Sequence, residues 1–274
     1  MAKDKISIKK AWARKLKEFN DLPEKFKSEI SKSLFSDKLE LAVYAPKKDQ
    51  NKNILFENIL FLNKDNFIIF NFNEEDTIIK KTFNYKDILR LKLDIILLKS
   101  KLSLDIKKEV YNLHFNTTAE PIFQNVLTLI RKKIHGFKKE NVDISSLNYL
   151  QNINNKLFNY SKYALKYGNS IIDSVYQNKN DKLKINPSIS ILTENELVFI
   201  KEAKEDNTPE NCNYGGFWEF IPINNISSIK THEHENNNLF NLEIIIDNKE
   251  YIESYTLDTK MAFKNFDNEI KKFL

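Results

Sequence analysis

The chain has 274 residues, of which 41% are hydrophobic, 30% charged and 12% aromatic, a balance too apolar for disorder and a length that accommodates two ordinary domains. Only four glycines occur, Gly136, Gly168, Gly215 and Gly216, which leaves glycine-rich phosphate loops and dinucleotide crossovers almost without material. Residues 1–36 hold ten Lys/Arg against five Asp/Glu and account for the whole net charge of +5, so the remainder is balanced. With no recognition-helix, zinc-finger or ribonucleoprotein motif, that balance argues against a nucleic-acid partner.

A single cysteine, Cys212, excludes an intrachain disulfide, and no run approaches the eighteen apolar residues of a membrane span. The expectation is a soluble, cytoplasmic protein. Abundant Asn, Lys and Ile are read as compositional bias from an AT-rich coding sequence and given no functional weight.

In residues 7–20, Ile8, Trp12, Leu16 and Phe19 fall at spacings of four, four and three, which predicts an amphipathic helix with a basic face. Asp21 and Pro23 interrupt it, and Phe26, Ile30 and Leu34 predict a second helix to Phe35.

From Leu39 to Phe115 the pattern becomes short apolar runs between polar clusters, which predicts strands at Leu39–Ala45, Asn58–Leu62, Phe67–Phe72, Ile78–Asn84, Ile88–Leu98, Ser103–Ile106 and Val110–Phe115. Asn63–Asn66 and Asn73–Asp76 are turns. Thr117 or Thr118 can cap a following helix that starts at Ala119 to Pro121, carries Phe123, Val126, Leu127, Ile130 and Ile134 on one face, and ends at Gly136.

The second half repeats the first. Ser174-Val175-Tyr176 matches Ala42-Val43-Tyr44, and Ile191 to Ile200 matches Phe61 to Phe70. Ile223-Asn224-Asn225-Ile226 matches Tyr85-Lys86-Asp87-Ile88, and Tyr255 to Leu274 follows the plan of Phe115 to Ile134. The offset grows from about 130 to about 140, as a longer Lys201–Gly216 loop in the second copy requires. Between the copies, residues 143–167 lack Pro and Gly and carry Leu147, Leu150, Ile153, Leu157 and Tyr160 on a broad stripe, which predicts one helix packed between the modules.

A run of strands closed by one helix, the "LTxxxLxxF" pattern of Leu192 to Phe199, and the strand starts Tyr85–Ile88 and Pro222–Ile226 resemble the bacterial pleckstrin-homology-like family, over residues 37–135 and 169–274. The resemblance implies an α+β, mainly β fold of two barrels, each of about seven short antiparallel strands plus a C-terminal helix, and the apolar spacing adds a helical segment at 1–36 and a helical linker at 136–168. It also implies a non-catalytic module with no cofactor that binds proteins, lipids or copies of itself. In pleckstrin-homology domains that bind phosphoinositides, lysines and arginines of the first strand-to-strand loop hold the phosphates. The matching loop here has Lys47, Lys48 and Lys52 in the first copy and Lys179, Asp181 and Lys182 in the second, with no arginine for bidentate recognition.

Candidate sites follow from these patterns. Lys9, Lys10, Arg14 and Lys15 around Trp12 could join Lys47, Lys48 and Lys52 in contacting an anionic membrane. Tyr214, Phe217 and Trp218, beside Gly215 and Gly216, form an aromatic loop that could anchor a partner protein, while Trp218 also suits the core of the next strand. His232 and His234, two apart on a strand, share a face but lack a third metal ligand, and Asn236–Asn238 beside them read as a turn. His114, His135 and Cys212 carry no spacing that assigns catalysis. The leading expectation is a protein-binding scaffold, with self-association one form of it, and the alternative is a peripheral membrane module.

Overall fold

The structure is a computed structural model that describes residues 12–46, 57–72, 77–96, 100–137, 142–168, 170–203, 215–234 and 239–274. It is mixed α+β, mostly strands, in three antiparallel sheets that do not close into barrels. The first sheet orders β1 (Arg14–Leu16), β2 (Leu39–Ala45), β3 (Asn58–Asn63), β4 (Asn66–Phe72) and β5 (Ile78–Asn84) side by side.

After a single 3-10 turn at Tyr85–Asp87 the chain leaves this sheet for β6 (Ile88–Ile96), β7 (Ser100–Ile106) and β8 (Glu109–Phe115), and then helix α1 (Glu120–His135). The second half runs through β9 (Ile171–Gln177), β10 (Ser188–Thr193), β11 (Glu196–Glu202) and β12 (Gly215–Pro222), a 3-10 turn at Ile223–Asn225, β13 (Ile226–His234), β14 (Leu239–Ile246), β15 (Lys249–Thr256) and helix α4 (Lys260–Lys271). The order of elements in 39–135 therefore recurs in 171–271, down to the 3-10 turn ahead of the fifth strand and a second 3-10 turn ahead of each closing helix.

The copies are not separate barrels. The middle sheet has the order β8-β7-β6-β12-β11-β10-β9, so three strands of the first copy and four of the second form one ladder, joined where Phe220 to Gly215 run antiparallel to Leu91 to Ile96. The third sheet is β13-β14-β15.

The central runs of β3 and β4 in the first sheet and of β10 and β11 in the middle sheet are buried on both faces, which is why they read as nearly unbroken apolar runs. In β11, Val198 and Ile200 enter a core shared with Trp218, Phe220, the α1 residues Phe123, Val126 and Ile130, and the first copy's Leu91, Leu93 and Leu104. Their neighbours Leu197 and Phe199 enter a second core with Phe240, Leu242, Ile244 and the α4 residues Phe263 and Phe266. By contrast β14 and β15 alternate in exposure along their length, as sheets with one solvated face do.

The outer face of the first sheet is covered by residues 16–35. Leu16, Leu22, Phe26 and Ile30 pack on Ala42, Tyr44, Ile59, Phe61, Ile68 and Phe70. The segment does this without the predicted helices: among its described residues it forms β1 and three 3-10 turns at Phe19–Asp21, Glu24–Phe26 and Lys32–Leu34. Pairing of Arg14–Leu16 with Ala42–Tyr44 holds the chain extended where periodicity favoured a helix. Residues 7–11 of the expected first helix lie outside the described residues.

The linker covers the second copy in the same manner. It is broken, not continuous: a 3-10 turn at Ser145–Leu147, then α2 (Leu150–Ile153) and α3 (Asn155–Ala164), separated at Asn154, whose φ of −153° leaves the helical region and whose side-chain oxygen accepts the N–H of Leu157. Leu147, Leu150, Leu157 and Phe158 enter the shared core. Helix α1 begins as expected after Thr117 and Thr118, but these lie in a 3-10 turn, and Thr118 donates to Asn116 instead of capping the helix. It ends at Gly136, whose φ of 65° and N–H bond to Lys132 make the left-handed stop.

Among the described residues no helix is long and apolar enough to cross a membrane.

Candidate functional site

The two copies are alike in fold but differ in which strand edges are filled. In the second copy, β12 pairs with β11 on one side and receives β6 on the other. In the first copy the corresponding strand, β5, pairs with β4 and is the last strand of its sheet among the described residues. An edge that is occupied in one copy is therefore open, among the described residues, in the other.

Register fixes the correspondence. Asn84 pairs with Asn66 and Pro222 with Glu196, so Lys80, Lys81 and Thr82 of β5 stand where β12 has Trp218, Glu219 and Phe220. Glu109 pairs with Ile106 and Lys249 with Ile246, so Glu109 and Tyr111 stand where β15 has Lys249 and Tyr251. Strands β6 and β13 share a register shift at the same place, after Ile88 and after Ile226, so Arg90 and Lys92 correspond to Ser228 and Lys230.

At the occupied edge, the incoming strands bring charges that the second copy receives. The Arg90 guanidinium lies 2.8 Å from Glu219 and 4.0 Å from the centre of the Tyr251 ring. Asp105 accepts hydrogen bonds from Lys249 at 2.8 Å and from the Tyr251 hydroxyl at 2.7 Å. Burial and the Asp105 carboxylate push the Tyr251 hydroxyl pKa up, holding it as the donor. Backbone is gripped as well: Lys249 donates to the Lys107 carbonyl at 2.8 Å and the Asn225 side chain to the Ile88 carbonyl at 2.9 Å.

At the open edge the same positions carry inverted charges. Lys81 replaces Glu219 and Glu109 replaces Lys249, and the two pair with each other, with Tyr111 donating to the same carboxylate. Those bonds from Lys81 and Tyr111 hold Glu109 below its usual pKa. Beside β5 lies a cleft of about 760 Å³, lined in the first copy by Lys81, Phe83, Lys86, Asp87, Lys107, Lys108 and Glu109 and closed on its far side by Asn224, Asn225, Ser227 and Asp247. Lys107 is bonded to Asp87 at 2.9 Å; against the opposing effect of burial, this bond and the Asn84 N–H keep the Asp87 carboxyl below its usual pKa. Lys86 and Lys108 are exposed and form no ion pair among the described residues. The first-copy wall thus carries four lysines against two carboxylates.

The residues singled out from sequence fall elsewhere. Lys9, Lys10, Lys47, Lys48, Lys52, Tyr214, Cys212 and the Asn236–Asn238 turn lie outside the described residues. Lys15 is exposed on β1, but Arg14 points back onto its own domain, donating to the Trp12 and Asp21 carbonyls and covering the Tyr44 ring at 4.6 Å. It is no part of a basic helical face. Trp218 is not an exposed anchor: it is 3% exposed, packs on Tyr160 and Tyr163, and donates its indole N–H to the Tyr160 carbonyl. Phe217 is half-buried with Lys92 above its ring. His232 pairs with Glu243 at 3.0 Å, and among the described residues no group of three or more His, Cys, Asp or Glu side chains is placed to hold a metal ion.

Sequence reasoning passed over the β5 edge, although Lys80-Lys81 inside a strand and the charged Arg90, Asp105 and Glu219 within apolar strands were visible signs of unequal edges. Compared with known proteins, the chain matches no family model and no curated protein.

Proposed function

We propose that this chain is a non-catalytic scaffold that binds a partner protein by taking an extended segment of it as an extra antiparallel strand on β5. Each copy is read as a pleckstrin-homology-like module, with a four-stranded sheet, a three-stranded sheet and a closing helix. The observation that carries the proposal is internal: the counterpart of β5 in the second copy, β12, already holds such a strand over six residue pairs, Gly215–Ile96 to Phe220–Leu91.

Strand addition supplies main-chain hydrogen bonds for affinity and side-chain pockets for selection. The cleft beside β5 offers the second element, since it occupies the place where the second copy grips Ile88 and Asp105. A protein edge left open is ordinarily an aggregation hazard, and the lysines on β5 are the kind of guard that keeps such an edge from pairing indiscriminately.

Hydrogen exchange on the full chain tests this. Two peptides of strand sequence are added in large excess: the β6 sequence Ile88–Ile96, and the same sequence carrying Arg90→Glu and Lys92→Glu. Slowed exchange in Ile78–Asn84 with at least one of them is the expected result. No change in those residues with either peptide would sink the proposal.

A further inference from the structure

We infer that the partner segment is acidic where β6 carries Arg90, and that it belongs to a different protein and not to a second copy of this chain; this rests on the strand-addition reading above.

The argument is a comparison of two receiving sites built on one plan. In the second copy Glu219 receives Arg90, and Lys249 with Tyr251 receives Asp105. In the first copy Lys81, held by Glu109, stands at the position of Glu219, so an arginine arriving there meets a like charge and a carboxylate meets an opposite one. The neighbouring positions shift the same way. Lys86 and Lys108 stand where the second copy has Asn224 and Asn248, both neutral. Across an antiparallel pair, opposite charges favour pairing and like charges directly opposite oppose it.

The chain's own candidate for this position fails on the same criterion. The counterpart of β6 in the second copy is β13, and carrying the β12–β6 register over to β5 and β13 sets Lys230 opposite Lys81. Ser228, at the position of Arg90, has no charge to offer. The apolar grip is missing too: where Trp218 and Phe220 are buried beneath the β12–β6 junction, β5 presents Lys80 and Thr82, both exposed. Two copies in the chain therefore join to each other while a third unit of the same kind is turned away, which keeps a head-to-tail contact from propagating into a fibre.

The same two peptides separate the inference from its foundation. The Glu-bearing peptide is expected to bind about tenfold more tightly than the unaltered one at low salt, with the difference shrinking as salt rises. Lys86→Glu and Lys108→Glu, which leave the Lys81–Glu109 pair intact, are expected to reduce that preference. Equal binding, or preference for the unaltered peptide, overturns the acidic partner while the edge reading stands. If neither peptide protects β5, the edge reading itself fails. Sedimentation of the free, unaltered chain is expected to show no concentration-dependent assembly, and finding such assembly overturns the exclusion of a second copy.

Discussion

Arg131 of α1 and Glu196 at the start of β11 meet 2.6 Å apart with both side chains almost fully buried, one from each copy of the repeat. The guanidinium also donates to the Ala164 carbonyl at 2.8 Å and to the Tyr167 carbonyl at 3.3 Å, and lies 4.1 Å over the Phe220 ring. His135 Nε2 is 2.9 Å from the other carboxylate oxygen. Helix α1, the end of the linker and the second copy's sheet are thus tied at one point.

Removing one member of this pair strands a charge without solvent. Arg131→Ala is expected to destabilise the chain by roughly 3–5 kcal/mol, whereas the double change Arg131→Met with Glu196→Leu, which removes both charges and keeps the volume, is expected to be near neutral. Urea denaturation of the parent chain and the two variants checks this. A cost for the double variant equal to that of Arg131→Ala would mean that the carbonyl contacts, not the charge, are what matter.

The same site sets an acid limit. Burial alone would raise the Glu196 pKa, but the Arg131 charge, the close approach of His135 and the Arg131 hydrogen bonds outweigh it and bring it to about 2, below the ordinary 4.5. A folded-state pKa below the unfolded one gives stability that is present above the unfolded value and is lost as pH falls through the folded one. Stability is therefore expected to decline between pH 4.5 and pH 2, and Glu196→Gln is expected to flatten that decline. Glu253, whose pKa is raised by burial, acts with the opposite sign, so the comparison must be made between variants and not from one curve. An identical acid profile for Glu196→Gln would refute the assignment.

Much of the fold was legible. Strands β2 and β5, helix α1 with its Gly136 stop, and the recurrence of elements at a widening offset were all written in local periodicity and turn chemistry. What periodicity could not carry is pairing at a distance. The β12–β6 contact joins residues more than a hundred positions apart, and nothing in the spacing of Phe217, Trp218 and Phe220 says which strand lies alongside. One signal was available: Ile59–Leu62 and Leu197–Ile200 are apolar without alternation, and a strand that does not alternate has both faces covered. Two-faced burial requires a covering layer, which residues 16–35 and the broken linker provide. At the candidate site Lys81 and Glu109 could be read as residues but not as a pair, since 28 positions and a sheet crossing separate them.

The covering role of the N-terminal segment gives a contrast between two aromatics. Phe26 is fully buried against Phe72 and the outer face of the first sheet, while Trp12 is 49% exposed. Phe26→Ala is expected to cost about 3–5 kcal/mol, by lost transfer energy and the cavity it leaves. Trp12→Ala is expected to stay within about 0.5 kcal/mol, as exposed substitutions do. Thermal or urea unfolding decides, and a larger cost at Trp12 than at Phe26 would overturn the assignment of residues 16–35 as cover.

The junction between the copies has its own sensitive point at Gly215. Its φ of 138° is open to glycine alone among ordinary residues, and a Cβ added there would lie 1.8 Å from the Ile95 carbonyl oxygen, on the backbone of the partner strand. Neither strain nor clash can be relieved by turning a side chain. Gly215→Ala is therefore expected to cost at least about 2 kcal/mol and to open the end of the β12–β6 ladder first, speeding hydrogen exchange in Leu91–Ile96 before β10 or β11 is affected. Gly136 is the control, because its φ of 65° ends a helix where an added methyl would meet nothing within 4 Å, so Gly136→Ala is expected to cost only about 1 kcal/mol. Equal costs at the two glycines, or loss of exchange protection spread evenly over the middle sheet, would show that the shared ladder is not closed at Gly215 in the way its geometry requires.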